Sequence, residues 1–225
     1  MIAERLARVQ ERIEAAARSA GRDPASVLLL AVSKTKPPEA IREAFAAGQR
    51  DFGENYVQEL TEKAESLADL VGVRWHMVGH LQRNKVAAAI RVANVVHTVD
   101  SARLAEAIGN RAASPLDVLV EVNVAGEAQK SGCAPAEVGS ILAAIARFPN
   151  LRARGLMTVP PFSDDPESSR PHFRALRVLR DAHGLADLSM GMTVDVEVAV
   201  EEGATIVRIG TAIFGARGSG VLSHE

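Results

Sequence analysis

The sequence predicts a single (β/α)8 barrel of the TIM type, class α/β, with one extra helix at its N-terminus. Short apolar runs alternate with helical patterns eight times, and 225 residues suit that architecture. The competing doubly wound sheet would need an unusually wide sheet of eight parallel strands, and its Gly-x-Gly-x-x-Gly fingerprint is missing. No composition shift marks a linker, so residues 1–225 read as one domain.

Ile2, Leu6, Val9 and Ile13 recur at helical spacing through Met1–Ala20, and Gly21 supplies a stop. Strands and helices then alternate. Val27–Ser33 is a buried strand, and Glu39–Ala47 a helix closed by Gly48. Arg50–Phe52 is a very short strand before a helix from Tyr56 to Leu70. Val73–Val78 leads to the helix Asn84–Val92, and Asn94–Val99 to Ala102–Arg111, opened by Asp100-Ser101. Leu116–Val124 is the longest strand, followed by Pro135–Arg147 with proline near the helix start. Leu151–Val159 precedes the long helix Glu167–Ala182. Leu185–Met190, the helix Asp195–Glu202 and the strand Thr205–Ile209 complete the set, with a mobile tail expected after Gly218.

Composition narrows the function. Lys+Arg number 26 against 28 Asp+Glu, so nothing suggests a nucleic-acid or polybasic membrane surface. Cys133 stands alone in a loop, which excludes an internal disulfide and fits a reducing compartment. The charged N-terminus does not resemble a signal peptide, and no apolar stretch reaches membrane-spanning length. The protein is expected in the cytoplasm, as a monomer.

In such barrels the active face lies at the carboxyl ends of the strands. Those ends carry Lys34, Gly53-Glu54-Asn55, His76 with Gly79-His80, His97, Asn123, Met157, Ser189-Met190-Gly191-Met192 and Arg208 with Gly210-Thr211. Lys34 closes an apolar strand just before Thr35-Lys36-Pro37-Pro38. Burial there favours the free amine, which attacks carbonyls to form a Schiff base, although a lysine can also snorkel into solvent at a strand end. Ser189 to Thr193 and Gly210-Thr211 end strands seven and eight, where barrels commonly hold phosphate; Thr193 and Thr211 also suit plain helix caps. Alternation puts Ile206 and Arg208 on one face of the last strand, so Arg208 meets either a ligand or a carboxylate such as Asp195 or Glu197. Asn55, His76 and Asn123 read as hydrogen-bonding groups around the mouth, with turn roles open to both asparagines. His76 and His80 straddle a strand end and lack companion ligands, which argues against a metal site.

With these segments assembled, the chain resembles the pyridoxal 5′-phosphate homeostasis protein family nearly end to end. The resemblance rests on Ala31-Val32-Ser33-Lys34-Thr35-Lys36-Pro37, Phe52-Gly53-Glu54-Asn55-Tyr56-Val57-Gln58-Glu59 and the block Trp75–Lys85. Gly155-Leu156-Met157-Thr158, Leu188-Ser189-Met190-Gly191-Met192 and the block Val207–Gly215 continue it. It implies that Lys34 carries pyridoxal 5′-phosphate as a Schiff base. It further implies that Ser189, the backbone of Gly191, Met192 and Thr193, and Gly210-Thr211 hold the phosphate, with Arg208 opposite the pyridine nitrogen. Thr193 stands where the family commonly has serine, which keeps the hydroxyl, and Asp195 and Glu197 are retained within a variable stretch.

The family is similar in fold to the barrel domain of alanine racemases, where a second, β-rich domain completes the opposite face of the substrate. The chain ends at Glu225, so no such domain is expected. The implied function is intracellular buffering and delivery of the cofactor, with PLP-dependent apo-enzymes as possible recipients and no substantial catalysis. A low-activity, PLP-dependent amino-acid racemase is the alternative, and a lyase in which Lys34 attacks the substrate's own carbonyl is the third reading. Lys36 is a candidate for assisting release, or simply a solvated lysine.

Overall fold

Eight parallel strands follow one another around a closed barrel in the computed structural model, which describes residues 1–215. They are β1 (Leu28–Val32), β2 (Asp51–Glu54), β3 (Arg74–Met77), β4 (Val95–Val99), β5 (Leu116–Glu121), β6 (Leu151–Met157), β7 (Asp187–Ser189) and β8 (Ile206–Ile209). Closure comes from β8 pairing with β1, in register from Leu28–Ile206 to Ala31–Ile209. The mobile tail expected after Gly218 lies outside the described residues.

The helices between strands are α2 (Pro38–Ala46), α3 (Val57–Ser66), α4 (Val86–Ile90), α5 (Ala102–Gly109), α6 (Val138–Ala146), α7 (Arg170–Ala182) and α8 (Val196–Glu201). The extra helix α1 (Ile2–Ser19) comes first, and α9 (Thr211–Phe214) follows β8. Burial explains why α1 belongs to the barrel. Its stripe Ile2, Leu6, Val9, Ile13, Ala16 and Ala17 is covered, and it packs against α8, α9 and α2. Arg22 locks its C-terminal end by donating to the carbonyls of Val200 (2.6 Å) and Ala204 (2.9 Å).

Several boundaries differ from the sequence reading for local reasons. β2 runs on to Glu54, because Gly53 and Glu54 pair with His76 and Met77. β5 stops at Glu121, and Val122 forms only an isolated bridge with Cys133. β7 has three residues, since Gly191 turns the chain at φ +93°. The helix read as Asn84–Val92 begins as a 3-10 turn over Arg83–Lys85 before the five-residue α4.

The main core fills the layer between strands and helices, while the barrel interior holds a smaller cluster of Leu30, Val95, Leu119, Met157 and Ile206. The rest of the interior is polar: Asp51, His76, His97, Glu121, Ser189 and Arg208 are all buried there. Half the barrel axis is therefore lined by groups that need hydrogen-bond partners.

Candidate functional site

A cleft of about 510 Å³ lies at the carboxyl ends of the strands. Its wall includes Val32, Lys34, Thr35, Lys36, Asn55, Met192, Thr193, Arg208, Gly210 and Thr211. Seven of the ten residues expected at the site thus share one cavity: Lys34, Asn55, Met192, Thr193, Arg208, Gly210 and Thr211. The exposed Phe162 forms part of the rim, in the loop after β6.

Lys34 sits two residues beyond β1, in a turn held on both sides. Before it, the Ser33 hydroxyl donates to Glu54 Oε1 (2.6 Å) and the Ser33 carbonyl accepts from Lys63 Nζ (2.8 Å). After it, the Thr35 N–H donates to Glu59 Oε2 (2.7 Å). Thr35 occupies the left-handed region at φ 62°, rare for a β-branched residue, and this sharp turn departs from the strand line directly after Lys34. Lys36 Nζ donates to the Gly215 carbonyl at 3.1 Å.

Arg208 is buried on the inner face of β8, where alternation places it. Its Nη1 donates to the Ser189 carbonyl (2.7 Å) and hydroxyl (2.9 Å), and Nη2 donates to the Thr158 carbonyl (2.9 Å). Neither carboxylate considered for it is a bonded partner. Glu197 is held by Arg12 (2.7 Å), and Asp195 accepts from the Ser169 hydroxyl (2.8 Å) and the Met192 N–H (2.7 Å). Burial lowers the Arg208 pKa to about 10, against the support of Glu121 and Asp195, so the guanidinium stays cationic at neutral pH.

His76 does not line this cleft. It faces the interior nearer the opposite mouth, where it lines a second cavity of about 610 Å³ with Asp51, Arg74 and Asp117. Its Nε2 lies 2.9 Å from Asp51 Oδ1 and its Nδ1 lies 2.9 Å from His97 Nε2. Inward residues of a strand stack in layers along the axis, and His76 belongs to a layer below the mouth. Ser189 is likewise fully buried beneath the cleft, its hydroxyl shared between Arg208 and His97 Nδ1 (2.9 Å). Gly191 is also buried behind the turn, and a Cβ there would lie 2.4 Å from Ala199 Cβ. Asn123 closes its own turn, bonding the Glu127 N–H and carbonyl.

The sequence reading passes over Asp51 and notes His97 only at a strand end; neither lines the cleft, and both join the buried row beneath it. Alternation along Val95-Val96-His97 does place His97 inward, but only barrel closure brings five different strands to one row of contacts. Among the described residues, no group of three or more His, Cys, Asp or Glu is placed to hold a metal ion. None of the described helices is long and apolar enough to cross a membrane.

The chain is similar to proteins that have already been described. Residues 5–218 match the model for the alanine racemase N-terminal domain. The pyridoxal phosphate homeostasis protein of Pseudomonas aeruginosa is 50% identical over 224 residues, covering 97% of each chain. PipY of Synechococcus elongatus, solved with PLP bound, superposes with a TM-score of 0.84 at 37% identity, covering 96% of this chain and 100% of that one. The alanine racemase of Corynebacterium glutamicum shares the fold, with a TM-score of 0.69 at 20% identity; 92% of this chain aligns with 59% of that one.

Proposed function

Because the chain belongs to the pyridoxal phosphate homeostasis proteins, within the alanine racemase N-terminal domain family, we propose that its cleft holds pyridoxal 5′-phosphate for buffering and delivery. One observation carries this reading: Lys34 and the buried Arg208 line the same cavity, and among the described residues Arg208 is bonded only to neutral oxygens. A buried cation without a bonded carboxylate calls for an anionic or acceptor-rich ligand. Of its five N–H groups, the bonds to described residues leave Nε–H and one Nη2–H for such a ligand.

The residues present fit the group. The volume suits a small phosphorylated heterocycle. Gly210 lets the chain after β8 pack closely on Val32 in the cleft wall, since a Cβ there would lie 3.0 Å from the Val32 carbonyl oxygen. Thr193 and Thr211 add hydroxyls and backbone N–H groups beside Gly210, while the Met192 N–H is already given to Asp195. When bound, the cofactor supplies an aldehyde that condenses with an amine, and Lys34 Nζ is the amine assigned to it.

The remaining roles are those of the chain. The clamped turn aims Lys34 into the cleft. Arg208 donates hydrogen bonds to the ligand but does not surrender a proton, which leaves a ring nitrogen opposite it unprotonated and the ring a weak electron sink. Such a site retains the cofactor better than it activates an amino acid. The rim opens past Phe162, 84% exposed, which suits a cofactor that is to be handed on to apo-enzymes.

Absorbance of the purified protein, before and after adding pyridoxal 5′-phosphate, tests the reading beside Lys34→Ala. A violet band that borohydride fixes onto Lys34, absent in the variant, is the expected result. No band at saturating cofactor refutes cofactor binding, and catalytic loss of chirality in an added L-amino acid refutes the non-catalytic role.

A further inference from the structure

We propose that Asp51, His76, His97 and Ser189 form one directional hydrogen-bond relay that orients Arg208 from the far end of the barrel, with both imidazoles neutral and protonated on Nε2. As a role toward the ligand this rests on the cofactor reading above; as a statement about protons it stands alone.

Donor counting fixes the direction. Four contacts of 2.9 Å join Asp51 Oδ1 to His76 Nε2, His76 Nδ1 to His97 Nε2, His97 Nδ1 to Ser189 Oγ, and Ser189 Oγ to Arg208 Nη1. Arg208 can only donate, and an ionised Asp51 can only accept. His76 Nε2 must therefore carry a proton, which leaves Nδ1 of the neutral ring as an acceptor. His97 Nε2 supplies the hydrogen for that contact, so His97 Nδ1 accepts in turn. The Ser189 hydroxyl fills that acceptor and keeps its lone pairs for Arg208. Each of the three middle groups, His76, His97 and Ser189, gives and takes once. The reverse arrangement has no donor at the Asp51 end unless the carboxyl is protonated.

The environment supports neutral rings. Both histidines are buried and their pKa values are lowered by that burial, His97 further by His76 and by Arg208. Aligned donors polarise one another in a low-dielectric interior, so the negative end at Asp51 supports the buried guanidinium at the cleft. His76, His97 and Asp51 are positioning residues, not catalytic ones, because none of them lines the cleft.

Histidine 15N spectra of the cofactor-free protein at pH 7 test the relay directly, with His76→Gln and His97→Gln used only to assign resonances. Both rings are expected as neutral Nε2–H tautomers; an Nδ1–H tautomer or an imidazolium at either residue overturns the relay. The role at Arg208 is read in Asp51→Asn, at the mouth opposite the cleft, with folding checked by circular dichroism. A roughly tenfold weaker affinity for pyridoxal 5′-phosphate is expected, with a shifted absorbance band. Unchanged affinity and band in the folded variant overturn that role. The tautomer measurement needs no cofactor, so it decides the relay even if pyridoxal 5′-phosphate fails to bind.

Discussion

Lys63 Nζ lies 2.8 Å from Glu54 Oε1, and both side chains are buried. The ammonium also donates to the Ser33 carbonyl and to Glu59 Oε2, so its three hydrogens meet three acceptors. Burial raises the Glu54 pKa, and Lys63 works against that shift. The pair grips the chain on both sides of Lys34, through Ser33 and, by way of Glu59, through Thr35. Lys63→Met leaves Glu54 buried without its cation and is expected to cost about 3–5 kcal/mol in urea unfolding. Lys63→Met with Glu54→Gln should recover most of that loss. Failure of the second change to restore stability would mean the pair is not the source of the cost.

Glu121 gives stability a distinctive pH dependence. Its carboxyl is buried on β5, Oε2 has no hydrogen-bond partner among the described residues, and its pKa is raised to about 7 by burial and by Asp100, against the pull of Arg208. Between the ordinary carboxylate value of 4.5 and about 7, the folded protein keeps this proton while the unfolded chain has lost it. This contribution therefore falls as pH rises through that window, by on the order of 3 kcal/mol in all. Glu121→Gln should flatten that part of the profile and gain stability at pH 8 relative to pH 5. Parallel wild-type and variant curves across the window would sink the assignment.

The two histidines act with the opposite sign. Their folded pKa values are lowered, so their contribution is complete above about 6.5, the unfolded value, and declines as pH falls below it. The unfolded chain takes up two protons there that the folded chain refuses. Urea unfolding from pH 7 to 5 should show stability falling from this source, and His76→Gln/His97→Gln should lose that component. An undiminished acid slope in the double variant would assign it elsewhere.

Much of the barrel was readable because its signals are local. The apolar run before Lys34, stopped by prolines, needs no tertiary knowledge, and neither does the alternation that turns Arg208 inward. The relay was not readable in the same way. His76 stands at the carboxyl end of its strand, yet its layer inside the barrel depends on the stagger between neighbouring strands, set by pairs such as Gly53–His76 and His76–Val95. Ser189 reads as a phosphate contact from its place beside Gly191, and its contacts with His97 and Arg208 inside the barrel could not be read from that position alone. Lys63 gave no sign at all, since a lysine in a helix ordinarily faces water.

Gly191 couples packing to the ligand wall. It needs φ +93° and has Ala199 Cβ where its own Cβ would sit, at 2.4 Å. Alanine there must push the turn away from α8, carrying Met192 and Thr193 with it. Gly191→Ala is expected to lower stability by about 1–3 kcal/mol and to weaken pyridoxal 5′-phosphate binding at least tenfold. Wild-type affinity in the folded variant would show that this turn does not shape the ligand wall.

Thr35 separates strain from stability. A β-branched residue at φ 62° costs roughly 1–3 kcal/mol, whereas glycine reaches that conformation freely and loses about 0.4–1 kcal/mol through its looser unfolded chain. Thr35→Gly keeps the N–H that binds Glu59, so the net expectation is a gain of about 1 kcal/mol in unfolding free energy. The same change loosens the turn that aims Lys34. Borohydride trapping of pyridoxal 5′-phosphate on Lys34 should therefore slow although the fold is firmer. A variant both less stable and equally fast in trapping would show that the left-handed turn at Thr35 is neither strained nor used to direct the lysine.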